Sequence, residues 1–328
     1  MEVMAHAQHP IKTGFTAAST ADDVLKGVDL SGKNVIVTGG HAGLGLETTR
    51  ALAKAGASVV VAARDPEKAN TAIAGIFRAE VSQLDLADPK SIDAFVTRFL
   101  ATKRPLHILV NNATAAVSPE IVRDGRGYEM QFATGHLGHF QLTLGLHSAL
   151  RSAQGARVVN VSSGAHRRGE IRWDDPNFTT GYSAVVGYAQ VKKANVLFAV
   201  ELDRRWKSQK IRGYAVHPGV IIHKEITADR LVSYGAQGLV DELGKPIIDP
   251  ERGKKTMAQG VSTIVFAATS PLLAEIGGVY LKDNDVAKLD DEMKALTADH
   301  IPSDACSSSL DPDSAERLWA LSERLLKT

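Results

Sequence analysis

The stretch NVIVTGGHAGLGLETTRALAKAGA, residues 34–57, decides the fold. It reads as a short β-branched strand (34–38), a glycine turn (TGGHAGLG, 38–45) and a helix (45–57). Gly39, Gly43 and Gly45 have the spacing GxxxGxG. Gly39 permits the tight turn, Gly43 lets backbone approach a pyrophosphate, and Gly45 lets the helix pack closely on the sheet. The helix N-terminus would then face phosphates with unpaired N–H groups. Glycines between a strand and a helix often serve turn chemistry alone. Placement carries the reading here, because this turn is the first in an alternating chain and directly follows VIVT.

The alternation continues outward. Strands are expected at 58–63, 79–85, 106–113, 156–163, 211–219 and 277–281, with helices at 66–76, 88–101, about 121–150, 184–207 and 254–269. Apolar, β-branched strands alternating with helices suit a parallel sheet buried on both faces, so the expected fold is α/β, a doubly wound, three-layered, seven-stranded sheet of the Rossmann type. Residues 1–29 read as a polar extended arm and a short helix capped by Thr20, with Asp22 and Asp23 in its first turn. The sheet domain is expected at 30–283, with 223–250 irregular, and a C-terminal extension at 284–328 carries an amphipathic helix capped by Asp311 or Asp313.

Composition narrows the function classes. The 328 residues are 44% hydrophobic and 23% charged, with a net charge of +1 and no long charged block, which gives little support to a nucleic-acid or membrane-surface partner. The single cysteine, Cys306, allows no intrachain disulfide and no cysteine-based zinc site, and no HxH or HExxH pattern suggests another metal. No window has the length of a membrane span, and the N-terminus lacks a secretion-signal layout, so a cytoplasmic protein is expected.

The second strand ends AARD. A carboxylate at this place holds the ribose 2′-OH of NAD; here Arg64 offers a charge-assisted bond to a 2′-phosphate. NADP is therefore the expected cofactor. NAD is the alternative, with Asp65 serving the ribose.

With the glycine turn, LDLAD (84–88), NNA (111–113), VVNVSS (158–163), YAQVK (188–192) and HPG (217–219) in order, the chain resembles the short-chain dehydrogenase/reductase family across roughly residues 30–282. AARDPEKAN, HLGHFQLT, KKANVLFAVEL and GGVYL resemble its retinol-dehydrogenase-like branch. The resemblance implies strand order 3-2-1-4-5-6-7 and NAD(P) bound across the strands' carboxyl ends. It implies cofactor contacts from Gly39, His41, Gly43, Leu44, Gly45, Arg64, Asp85, Leu86, Asn112, Ala113, Tyr188, Lys192, Pro218, Gly219 and Ile221. Asp85 would meet the adenine and Asn112 would sit below the cofactor. Ser163, Tyr188 and Lys192 match the catalytic serine, acid/base and its lysine. The family implies pairing through the helices near 121–150 and 184–207, hence a homodimer or homotetramer.

The chemistry needs those residue types. A carbonyl that accepts hydride needs a proton, and a phenol with its usual pKa of about 10 is a poor base. An ammonium about 5 Å away contributes roughly 3 kcal/mol at an effective dielectric near 20, enough to lower the phenol by some two units. Ser163 would hold the substrate oxygen near Tyr188. The spacing i, i+4 puts Tyr188 and Lys192 on one helix face.

Four positions depart from the family pattern. Gly135 stands where an asparagine helps hold a proton-relaying water, Thr114 extends NNA, Val191 replaces a frequent serine before the lysine, and His223 lies near the place of a carboxamide-binding threonine. His136 and His139 are the candidates for an altered relay. Ile226, Leu231, Tyr234, Leu239 and Leu243 give the substrate lid an apolar character, and Trp173 reads as an anchoring aromatic in a solvated loop. The expected activity is reduction of a carbonyl, or the reverse oxidation of a secondary alcohol, on an apolar small molecule; C=N substrates are admitted. The second reading is a catalytically weak NADP(H)-binding protein with a regulatory role.

Overall fold

The computed structural model describes residues 8–222, 228–297 and 299–327, the side chains of 228–230 and 232 aside. Strands β1 (Asn34–Thr38), β2 (Ser58–Ala63), β3 (Ala79–Gln83), β4 (Ile108–Asn111), β5 (Ala156–Val161), β6 (Ile211–His217) and β7 (Val279–Lys282) are joined by a two-residue β8 (Asp285–Val286). They form one sheet in the order β3-β2-β1-β4-β5-β6-β7-β8. All neighbours pair in parallel except β7 and β8. The eighth strand adds to the seven expected. It is too short to show a period-two pattern, and it turns back through Asp283 and Asn284, both at positive φ (51° and 62°).

Helices α1 (Ala21–Val24), α2 (Gly43–Lys54), α3 (Pro66–Ala72), α4 (Pro89–Ala101), α5 (Met130–Phe132), α6 (Gly138–Gly145), α7 (His147–Ser152), α8 (Ala184–Trp206), α9 (Ala228–Ala236), α10 (Met257–Thr269) and α11 (Pro312–Leu325) complete the described chain, with a π-turn (Ala133–Leu137) between α5 and α6. One apolar layer packs side chains of α1, α2 and α10 on the sheet through Leu52, Val261 and Phe266. The opposite layer packs α4, α6 and α8 through Phe95, Phe140 and Phe198. Both faces are covered, which is why β1, β4 and β5 read as nearly continuous apolar runs. Strand order reverses at β1, and β1 and β4 leave in opposite directions, opening a crevice at their carboxyl ends.

Two further expectations need correction. Residues 121–129 are not helical: Gly125 and Gly127 break the run, and Asp124 accepts from the backbone of Arg126 (2.9 Å) and Tyr128 (2.8 Å) to make a turn. Residues 228–236, within the stretch read as irregular, form α9. The arm is pinned: the Gln8 amide donates to the Tyr280 (2.8 Å) and Ala287 (2.6 Å) carbonyls and accepts from the Tyr280 N–H (2.9 Å). His223 and Ile226 lie outside the described residues.

Candidate active site

The glycine turn is built for an anion. Gly39 and Gly43 have φ of +64° and +51°. A Cβ on Gly45 would lie 2.7 Å from Asn112 Nδ2, and closer still to the Gly39 carbonyl, so helix and turn meet without room for a side chain. Ala42 caps α2 without any side-chain hydrogen bond, leaving the first N–H groups free. His41 Nδ1 is buried in the turn with no partner. Free amides, an orphaned ring nitrogen and a side-chain-free cradle together fit a dinucleotide pyrophosphate.

Below the turn, Thr38 ties three segments together. Its Oγ1 accepts from the Asn112 (2.9 Å) and Ala113 (3.0 Å) N–H groups, and it lies 2.8 Å from His139 Nε2. His139 Nδ1 faces the Gly135 carbonyl at 3.2 Å. A carbonyl only accepts, so we assign the proton to Nδ1 and make Nε2 the acceptor of the Thr38 hydroxyl. The Asn112 amide donates to the Thr38 carbonyl at 2.9 Å, directly beneath the glycines.

At the edge of β2, Arg64 is exposed. Asp65 is committed elsewhere, since its carboxylate caps α3 by accepting from Lys68 N–H at 3.1 Å. Lys68 lies near enough to His41 to hold down its pKa, which burial lowers first. Asp85 turns its carboxylate to the Ala87 N–H (2.9 Å), half-buried at the end of β3. Leu86 is buried, Leu44, Ala113 and Ile221 are half-buried, and Pro218 with Gly219 (φ +86°) ends β6.

The residues expected to handle the proton lie on α8 and just after β5. Tyr188 is half-buried on α8, near enough to the Ser163 hydroxyl for that group to favour its ionised form. Lys192 is buried one turn further on, its ammonium 5.4 Å from the centre of the Tyr188 ring. It donates to the Val161 carbonyl at 3.0 Å. Ser162 fixes the helix from below, its Oγ donating to the Lys192 carbonyl at 2.6 Å. Ser163 caps the turn after β5, accepting from Ala165 N–H at 3.2 Å. His166 Nδ1 donates to the Ser163 carbonyl (2.7 Å), and Gly164 N–H donates to His217 Nδ1 (3.2 Å).

This geometry is found on a chain that matches the short-chain dehydrogenase family over residues 33–230. The chain belongs to that family. It is 40% identical over 298 residues to a "Probable oxidoreductase" of Streptomyces lividans, covering 89% of this chain and 97% of the relative. It is 37% identical over 306 residues to retinol dehydrogenase 12 of Mus musculus, covering 91% and 88%. A crystal structure of an uncharacterized protein from Mycobacterium paratuberculosis superposes with a TM-score of 0.70 at 31% identity, covering 95% and 98%. This short-chain dehydrogenase is thus an NAD(P)-dependent oxidoreductase with a Rossmann-type fold. No helix among its described residues is long and apolar enough to cross a membrane.

The expected lowering of the phenol pKa by Lys192 is not how this site stands. Burial raises Tyr188 more than the Ser163 hydroxyl lowers it. The ammonium lies 5.4 Å from the ring centre, and burial takes Lys192 itself down to about 8. Trp173 packs against the C-terminal helix, under the Arg317 guanidinium (4.4 Å), as an anchor. Sequence reasoning missed Thr38, Lys68 and the Val161 carbonyl, because each acts through partners far away in the chain or through backbone.

Proposed function

We propose that the protein is an NADP(H)-preferring carbonyl reductase, able to run in reverse on a secondary alcohol, that works on apolar small molecules and admits C=N groups. One observation carries this reading: the Lys192 ammonium stands 5.4 Å from the centre of the Tyr188 ring, with the Ser163 hydroxyl near enough to favour the ionised phenol. The bound dinucleotide supplies or receives the hydride. Ser163 holds the substrate oxygen, and Tyr188 gives it a proton on reduction. A phenol whose pKa burial raises is protonated at neutral pH, which supports reduction as the favoured direction. Lys192 stabilises the phenolate left behind and regains its full charge as that anion forms.

Arg64, Lys68 and His41 support the NADP preference: two cations and a free ring nitrogen gather where a 2′-phosphate and pyrophosphate would sit, while Asp65 is spent on a helix cap. Val185 (63% exposed) and Val186 (36%) stand on α8 just before Tyr188, and Leu231 (40%) on α9, which supports an apolar substrate. We expect a homodimer or homotetramer; α11 packs through Trp319 on Phe140 of α6 and on Phe198 and Trp206 of α8. We place the chain in the cytoplasm, a reading that rests on its single, buried cysteine.

The test mixes the protein with NADPH and a panel of apolar ketones and aldehydes and follows loss of absorbance. Turnover that Tyr188→Phe lowers by about 10²-fold or more supports the reading. Tight NADPH binding with no turnover on any substrate would retire it in favour of a binding or regulatory role.

A further inference from the structure

Gly135 and Val191, read separately as departures from the family pattern, touch each other. A Cβ placed on Gly135 would lie 2.7 Å from Val191 Cγ1, and within 4 Å it meets no side chain but Val191. Real Cβ atoms do not approach that closely, so the bare α-carbon at 135 is what admits the valine. Val191 is 1% exposed and belongs to an apolar cluster with Phe132, Ala133 and Leu137 from the other side of the seam. The π-turn at 133–137 puts Gly135 at this contact. Tyr188 lies three residues before Val191 on α8, and Lys192 directly follows it.

We propose that Val191, seated against Gly135, is a positioning residue that forms a dry seam behind the Tyr188–Lys192 pair and keeps bulk water from the back of the ammonium. The inference rests on the reading of that pair as the working acid/base. The groups facing Lys192 are few. On its own helix they are Tyr188 and Asn195, which also donates to the Val161 carbonyl (3.1 Å); from β5, that carbonyl and Ser162. From α6 and β6 come His139 and His217, both neutral above pH 6.5. None is an anion, so burial alone depresses Lys192, to about 8. Admitting water through the seam favours the charged form and raises that value.

Two measurements test this, and neither needs turnover. The first is NADPH affinity by fluorescence from pH 6.5 to 10. In the unaltered protein it weakens above about pH 8, and in Val191→Ser the weakening moves up by about one pH unit. The second is thermal unfolding of Gly135→Ala, Val191→Ala and the pair. Gly135→Ala lowers the melting temperature, and adding Val191→Ala restores most of the loss, a strong non-additive coupling. Superimposable pH curves for Val191→Ser and the unaltered protein overturn the proposal, as do simply additive melting shifts. If these results come out as expected while no carbonyl is ever reduced, the seam stands and the reductase reading falls.

Discussion

His139 on α6 and Thr38 at the end of β1 share a buried hydrogen bond of 2.8 Å. The bond links the π-turn beside Val191 to the floor of the glycine turn. Thr38 gives its proton to His139 and receives two from the Asn112 and Ala113 backbone. Thr38→Val keeps the shape but strips the acceptor from two backbone N–H groups and the donor from His139. At about 1–3 kcal/mol for each of the three groups left unpaired, the loss should reach about 3–9 kcal/mol. Urea unfolding checks it, with Thr38→Ser expected to recover most of the stability and the NADPH affinity. A Thr38→Val protein as stable as the parent would contradict the three-way role.

Arg64 sets the cofactor choice in this reading. A hydrogen bond between charged groups is worth about 1.5–3 kcal/mol, so Arg64→Ala should weaken NADPH binding by about 10- to 100-fold. NADH affinity should change by less than about threefold, because no 2′-phosphate is lost. Paired titrations of the two nucleotides decide it, and an equal loss for both would point to a structural effect instead.

How much of this was legible in the sequence varies with range. The glycine turn, the i, i+4 pair on α8 and Ser163 just after β5 are local patterns, and the structure sets the turn between β1 and α2 and the Lys192 ammonium 5.4 Å from the Tyr188 ring centre. The loop at 121–129 had its glycines in view, but the apolar run after it outweighed them. The reason for Gly135 was hidden, because its partner Val191 lies on another helix. The phenol was misjudged for the same physical cause: a Coulomb estimate from spacing carries no burial, and burial shifts both Tyr188 and Lys192 more than they shift each other.

Trp319 of the C-terminal helix is held among Phe140 (4.9 Å), Phe198 (5.9 Å) and Trp206 (5.9 Å). It is 4% exposed, so Trp319→Ala should cost about 3–5 kcal/mol by leaving a cavity. The change also uncovers apolar surface on α6 and α8, so self-association should rise with concentration in sedimentation velocity. Unchanged stability would mean that α11 is an appendage rather than part of the core.

Four buried histidines should make the protein acid-labile. Burial takes His136 to about 3, His139 and His166 to about 4, and His217 well below 6.5. Each folded ring resists the proton that the unfolded ring accepts near 6.5, so below that pH the unfolded state binds more protons and stability falls as pH falls. Each ring then loses up to about 1.4 kcal/mol per pH unit, until the pH reaches its folded value. By pH 5 the four together approach about 8 kcal/mol, which is comparable with the whole stability of an ordinary domain. Lys192 works in the same sense in a higher window: its burial penalty is relieved between about pH 8 and 10.5, so it too adds stability as pH rises there. Urea unfolding from pH 7.5 to 5 measures the slope. His136→Gln, which keeps a polar partner for Ser322 Oγ (2.8 Å) but cannot titrate, should flatten it by about one proton's worth. Identical slopes in the two proteins would show that His136 is not among the groups that drive acid unfolding.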